Sequence, residues 1–290
     1  MEDLRNHVKK RYAKAIQSSS SCCGSGGCCC GSAQGSDILS MTEGNYDDTV
    51  LEKAPGQMSG QSFGCGNPFS EAQIRPGETV LDLGSGAGLD LFFASELVGP
   101  GGKVIGLDMT EEMLATAAEN LKGIENVSLL KGYIEEMPVE SDSIDVIISN
   151  CVINLSPDKD KVLREAFRVL RPGGRFCVSD TVFLRPVTER ASANLAAWSG
   201  CISGALQERE YAKKMREVGF EEVEVRRTKV YSFPDDVAAT LFPELSEEER
   251  NEINGALASA IIVGKKPLMV LKEGHDYTIR RAEFGDISSF

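Results

Sequence analysis

Nine cysteines are spread unevenly along the 290 residues of this chain. Five of them, Cys22, Cys23, Cys28, Cys29 and Cys30, crowd into "CCGSGGCCC". The other four, Cys65, Cys151, Cys177 and Cys201, stand alone and far apart. Thiols of this kind bind soft metals or metalloids, take part in redox exchange, or fill a core. A second group of residues carries different chemistry. "DLGSGAG" runs from Asp82 to Gly88, and Asp108 follows 20 residues after Gly88. Glycines at a strand-to-helix turn let a ligand approach the backbone, and an acid at the tip of the next strand hydrogen-bonds ribose hydroxyls. The spacing is G-x-G-x-G rather than the dinucleotide form G-x-G-x-x-G. Loop, strand, helix and acid together point to a cofactor containing a nucleoside. The bland alternative is a tight turn that holds nothing.

Both groups need a scaffold to bring them together. "TVLDLGS" from 79 is an apolar strand running into the glycines, residues 88 to 98 read as a helix, and "KVIGLDM" is a second strand. Thr110 is placed to cap "EEMLATAAENLK", whose first turn is acidic. "VSLLKGY" and "SIDVIISN" are strands three and four, and residues 158 to 170 form an amphipathic helix ended by "RPGG". "RFCVSD" is strand five. Apolar strands alternating with helices predict a doubly wound α/β parallel sheet. An alanine-rich segment with Trp198 and Cys201 interrupts this pattern at 186 to 206. A helix at "ALQEREYAKKMREVGF", an acidic helix near 244 to 254 and two last strands, "EVEVRRTKV" and "ASAIIVGKK", complete the predicted elements.

Composition narrows the function classes. The net charge of −13 argues against a nucleic-acid partner, whose phosphates attract basic faces. No apolar run reaches the about 18 residues that a membrane helix needs. The N-terminal "MEDLRNHVKKRYAKAIQ" is charged where a signal peptide is apolar, so a cytoplasmic location is expected. Cytosolic thiols are mostly reduced, which disfavours a disulfide framework.

With these motifs in view, residues 72 to 266 resemble the class I S-adenosylmethionine-dependent methyltransferases. "LDLGSGAG" is similar to their first motif, "GLDM" to their second, and the final strand pair to their terminal hairpin. The resemblance implies that Asp82, Gly84, Ser85, Gly86 and Gly88 face the methionine part of the cofactor and Asp108 the ribose. It implies that Met109 packs on adenine and that "GYIEE", with Gly132, Tyr133 and Ile134, flanks the adenine amino edge. The alternative for Met109 and Ile134 is core.

Most methyl acceptors carry a proton that a base must remove, and histidine is the commonest base. The chain has two histidines, His7 and His275, one near each end. An Asp, Glu or Tyr base stays open. An acceptor with a lone pair and no proton, such as trivalent arsenic held by thiolates, needs none. Cys151 directly follows strand four, which neighbours strand one at the switch point of such a sheet. Cys201 lies in the insertion that would cover this edge, and Cys65 in a turn just before the sheet. All three can reach one pocket. Cys177 falls mid-strand and reads as core. The glycine-flanked Cys65 is expected to be the least anchored of the three pocket cysteines.

"FGCGNP", "SNCVINLSPDK" and "SGCISGAL" each set one cysteine in a distinctive context and resemble the arsenite methyltransferases. The resemblance implies that Cys65, Cys151 and Cys201 bind As(III) and that arsenite and methylated trivalent arsenicals are the substrates. It also implies a thiol reductant of the thioredoxin or glutathione type. It adds Phe63, where the family often has tyrosine, and Asn150 to the cofactor-binding residues. Residues 1–71 then form an N-terminal helix, a Cys-rich loop and the arsenic-site turn; 72–266 the methyltransferase domain, with its insertion at about 181–206; and 267–290 an unassigned tail. The Ser/Gly/Cys segment 18–36 has no apolar face to bury and reads as a tethered thiol donor or a passive scavenger. A different C- or O-methyltransferase and a non-enzymatic thiol-rich metalloid binder are the rival readings.

Overall fold

The structure, a computed structural model, describes residues 66–198, 202 and 204–268. The N-terminal helix, the cysteine knot, Phe63, Cys65, Cys201 and the tail after 268 lie outside the described residues.

The chain enters through a short helix, α1 (Phe69–Ala72), and then alternates strand and helix. The order is β1 (Thr79–Leu83), α2 (Leu89–Val98), β2 (Lys103–Asp108), α3 (Glu111–Asn120), β3 (Val127–Lys131) and β4 (Ile144–Asn150). A 3-10 turn (Ile153–Leu155) leads into α4 (Lys159–Val169), β5 (Leu170–Phe183), α5 (Glu189–Trp198) and α6 (Glu208–Val218). The remaining elements are β6 (Glu221–Tyr231), α7 (Asp235–Leu241), α8 (Glu247–Ile253) and β7 (Leu257–Lys265). Seven strands lie in the order β3-β2-β1-β4-β5-β7-β6. The first five run parallel, and β7 is antiparallel to both β5 and β6. This is the α/β sheet that the alternating pattern predicts.

Helices cover both faces, which is why the central strands are apolar on both sides. Leu81, Leu83, Ile147, Phe176 and Val178 pack against α4 and α6 through Val162, Leu163, Ala166 and Met215. Val80, Val104, Val146, Ile148 and Cys177 face the other way, against Leu91, Ala94, Val98 and Ala117 of α2 and α3. The period-2 alternation along each strand delivers neighbouring residues to opposite cores. A third cluster gathers Leu195, Ile202, Phe233, Phe242 and Leu257, tying the insertion to the last helices and β7.

Two elements differ from expectation. "RPGG" does not simply end α4: it forms the start of a 14-residue β5, with a register shift against β4 between Ile144 and Val146. The left-handed Gly173 makes that irregularity accessible. The single acidic helix expected near 244–254 is the second of two short helices, α7 and α8, and the latter opens on a capping box at Ser246 and Glu249.

Candidate active site at the switch point of the sheet

β1 and β4 are adjacent, and the strand order reverses between them. Ligands of open α/β sheets bind beyond the carboxyl ends of the strands at such a point. Two chain segments meet there: the glycine loop after β1 and Asn150–Cys151 at the end of β4.

Gly84 adopts φ +74, a left-handed conformation, and donates its N–H to the Leu107 carbonyl at 2.7 Å. A Cβ at this position would lie 2.4 Å from Val152. The loop therefore closes directly onto the residue after Cys151. Gly86 also has positive φ, and among the described residues no atom beyond its chain neighbours lies within 4 Å of where its Cβ would be. Its N–H donates to Asp108 Oδ2 at 3.0 Å, and Thr110 N–H donates to Asp108 Oδ1 at 2.8 Å. Each carboxylate oxygen keeps lone-pair capacity for a ribose hydroxyl. Burial raises the Asp108 pKa, against the opposing pull of the Thr110 and Gly86 N–H groups.

Behind the loop, Asp82 is 2% exposed and its Oδ2 has no hydrogen-bond partner among the described residues; the same holds for Ser85 Oγ. Burial holds the Asp82 carboxyl well above the usual range, and the Asp90 and Asp108 charges push it further up. Orphaned buried acceptors are uncommon in folded chains. Three carboxyls, an open glycine turn and a free hydroxyl fit a cationic ligand with amino and ribose groups, which is the chemistry of S-adenosylmethionine. Met109 is half-buried beside Asp108, and Gly132, Tyr133 and Ile134 follow β3. Ile134 packs on the apolar core, as its alternative reading allowed, while Tyr133 is exposed.

Cys151 sits at the tip of β4 with φ +60. That conformation is uncommon for a non-glycine residue and persists where the surroundings over-determine it. Its N–H donates to the Ser179 carbonyl at 2.8 Å, and the residue is 2% exposed. Cys151 is disulfide-bonded. Cys177, the other cysteine among the described residues, is a free thiol, so the bonded partner lies outside them. The expectation of reduced thiols thus holds at Cys177 and not at Cys151. Cys177 is buried in the core as predicted, donates to the Pro68 carbonyl at 3.2 Å, and has its pKa pushed up to about 12 by burial. A thiol so poor in thiolate is chemically quiet.

The described neighbours of the other two pocket cysteines converge on the same edge. Gly66, the residue after Cys65, accepts from Asn150 Nδ2 at 2.7 Å and donates to Asn150 Oδ1 at 3.3 Å. A Cβ on Gly66 would fall 2.1 Å from Ser179 Oγ. Gly66 is thus clasped by β4 and pressed on β5, while Cys65 itself, expected to be the least anchored pocket cysteine, lies outside the described residues. Asn150, expected at the cofactor, has its amide engaged with that turn. Ile202, the residue after Cys201, is buried in the third apolar cluster. Gly204 lies so close to the 3-10 turn that a Cβ would meet the Asn154 carbonyl oxygen at 2.1 Å.

Comparison with known proteins shows the fold and the family. A family profile described as a methyltransferase domain matches residues 74–219. An arsenite methyltransferase of Halobacterium salinarum is 40% identical over 275 residues, spanning 92% of this chain and 67% of the relative. The chain belongs to the arsenite methyltransferase family. The human member is 40% identical over 182 residues, covering 59% of this chain and 48% of its own length. The chain thus spans about half the length of that mammalian member. Among solved structures, an arsenic(III) S-adenosylmethionine methyltransferase from Chlamydomonas reinhardtii superposes with a TM-score of 0.61 at 32% identity, covering 76% of this chain and 72% of that one.

For a member of this family, the residues that sequence reading missed are polar and internal. Asp180, on β5, is fully buried and accepts from the Thr181 and Asn154 N–H groups at 3.1 and 3.2 Å. Burial pushes its pKa up to about 8. Lys159 and Tyr211 stand nearby. The signal was present as an acid inside the apolar run "FCVSDTVF".

Proposed function

We propose that this chain methylates trivalent arsenic, taking arsenite to methylated arsenicals, with Cys65, Cys151 and Cys201 as thiolate ligands. The observation that carries the reading is the position of Cys151: buried, in a left-handed conformation, one residue from the contact between Val152 and the glycine loop. Gly66 and Gly204, in the segments that bear the other two cysteines, pack on the same edge.

S-adenosylmethionine, when bound, supplies a sulfonium methyl as the electrophile for the arsenic lone pair. Gly84, Gly86 and Ser85 would hold its amino-acid part, Asp108 its ribose, and Met109 its adenine. Asp82, Asp90 and Asp108 favour the positive charge of the cofactor. The cysteine side must hold arsenic with its lone pair toward that methyl. Soft thiolates suit this ion, and the acceptor has no proton to lose, so no general base is required. The disulfide at Cys151 must be opened before that sulfur can ligate, which supports a thiol reductant of the thioredoxin or glutathione type as partner. Cys22, Cys23, Cys28, Cys29 and Cys30 are suited by their Ser/Gly tether to deliver arsenic or exchange disulfides. The physiological role is arsenic detoxification in the cytoplasm. Among the described residues no helix is long and apolar enough to cross a membrane. Residues 72–266 form the methyltransferase domain in this reading.

The test is methyl transfer from labelled S-adenosylmethionine to arsenite in the presence of a dithiol reductant. Labelled methylarsenicals are expected. Transfer to a quinone or lipid with none to arsenite would move the chain to another acceptor class. Tight arsenite binding with no affinity for S-adenosylmethionine would make it a metalloid buffer.

A further inference from the structure

The turn after Cys151 is held from inside by polar and ionisable groups that the methyl-transfer chemistry does not use. Three residues of 3-10 helix (Ile153–Leu155) have little stability of their own. They begin two residues after a strained backbone. Asp180 takes the Asn154 N–H at 3.2 Å. The Asn154 side chain donates to the Thr181 carbonyl at 2.8 Å and to Thr181 Oγ1 at 2.9 Å. Lys159, half-buried at the start of α4, donates to the Ser156 carbonyl at 2.9 Å and the Asn154 carbonyl at 3.3 Å. Ser156 Oγ donates at 2.6 Å to Glu135, a 4%-exposed carboxyl next to Ile134 on the cofactor side.

Lys159 is the cation among these groups. Its Nζ lies 2.7 Å from where a Cβ on Gly204 would stand, so the ammonium also touches the turn that follows Ile202. Burial lowers its pKa, and the carboxyls of Asp180 and Glu135 are among the charges that raise it back. Partly burying an ammonium is costly unless acceptors meet it, and here two carbonyls of the turn do. Its placement makes sense if the turn must be held in one position.

We infer that Lys159 is a positioning residue for the methyl-acceptor site: its ammonium locks the turn that follows Cys151 and seats the Gly204 turn against it. This rests on the reading of Cys151 as an arsenic ligand.

The experiment compares the full chain with Lys159→Met, Gly204→Ala and Cys151→Ser. Lys159→Met removes the charge and keeps the stem, while Gly204→Ala pushes the second turn away from the same ammonium. Both should raise the KM for arsenite by about tenfold or more, the loss of a charged hydrogen bond, with a smaller change in kcat at saturation. The dissociation constant for S-adenosylmethionine should stay within about twofold in calorimetry, because the glycine loop is untouched. X-ray absorption of bound As(III) should report fewer sulfur neighbours in both variants than in the parent. Unchanged arsenite KM and sulfur coordination in both variants, with Cys151→Ser inactive, would overturn the positioning role and leave the arsenic site standing. Equal loss of both affinities together with a lowered melting temperature would overturn it as well, by assigning Lys159 to stability alone. Full arsenite binding in Cys151→Ser would instead remove the arsenic reading beneath it.

Discussion

The two sides of the switch point are built by opposite rules. On the cofactor side, backbone does most of the shaping: Gly84 and Gly86 turn with positive φ, and Asp82 Oδ2 and Ser85 Oγ lack partners among the described residues. On the cysteine side, most buried and half-buried polar groups are paired within the fold, the Tyr211 hydroxyl being an exception among the described residues. Asp180 accepts two backbone N–H groups, Asn154 donates to Thr181, Lys159 donates to two carbonyls and Ser156 to Glu135. A site for a ligand that must enter and leave each cycle keeps its polar capacity open. A site for thiolates around a small ion needs its ligands held from behind, since the ion offers few contacts of its own. The contrast predicts that mutations on each side separate cofactor affinity from acceptor affinity.

Cys151→Ser should break the comparison most completely. A serine hydroxyl is hard and protonated at neutral pH, so it does not replace a thiolate toward As(III). Arsenite methylation should fall below detection while calorimetry gives the parental affinity for S-adenosylmethionine. If turnover survives at the parental rate, the thiolate mechanism is wrong. Asp108→Ala comes next and acts on the other side. It removes the acceptor for the ribose and for the Gly86 and Thr110 N–H groups. Charge-assisted hydrogen bonds are worth about 1.5–3 kcal/mol each, so cofactor affinity should drop by roughly tenfold to a hundredfold with arsenite binding nearly intact. Parental cofactor affinity in this variant would displace the cofactor from the glycine loop.

A smaller effect tests the boundary between the two sides. Asn150 stands between the glycine loop and Cys151, and its amide makes a reciprocal pair with Gly66. Asn150→Ala should raise the KM for arsenite by about tenfold, the loss of one to two neutral hydrogen bonds that hold the segment after Cys65. If cofactor affinity falls instead, Asn150 belongs with the glycine loop, as the family resemblance implied.

This division also explains what could be read before any coordinates. The sheet was legible because both faces of its strands are covered, so "TVLDL" and "IDVIIS" are mostly apolar, each broken by one aspartate. The glycine loop was legible because its function lies in local backbone geometry, which short motifs encode. The cysteine side was legible only as isolated thiols. Its support comes from pairings across 26 residues, from Asn154 to Asp180, and across 84, from Gly66 to Asn150, and no local pattern records them. The clasp on Gly66 is likewise invisible to a local reading, because it comes from another strand. "RPGG" misled for a related reason: its residues are helix breakers by type, and the partner strand β4 draws them into β5.

The smallest effect on turnover, and the sharpest on the supporting network, concerns pH. Asp180 has a pKa pushed up to about 8 by burial, whereas an unfolded aspartate titrates near 3.8. Between those values the folded chain keeps a proton that the unfolded chain has released. Stability contributed by this group therefore falls as pH rises through that window, the reverse of an ion-paired carboxylate. Lys159, with its pKa lowered by burial, acts in the opposite sense but nearer the lysine range. Asp180→Asn cannot ionise and keeps one accepting oxygen, so one of the Asn154 and Thr181 N–H groups, which bond separate Asp180 oxygens, loses its acceptor and the variant starts from a lower stability. Activity with saturating arsenite should change little at neutral pH. Melting temperatures measured from about pH 5 to about pH 8 should decline less steeply for the variant than for the parent, so that their difference shifts in the variant's favour toward the alkaline end. Groups common to both proteins contribute equally and cancel in the difference. Parallel curves would mean that Asp180 is ionised throughout, as the partner of a charged Lys159, and that the cysteine side is braced by a true ion pair.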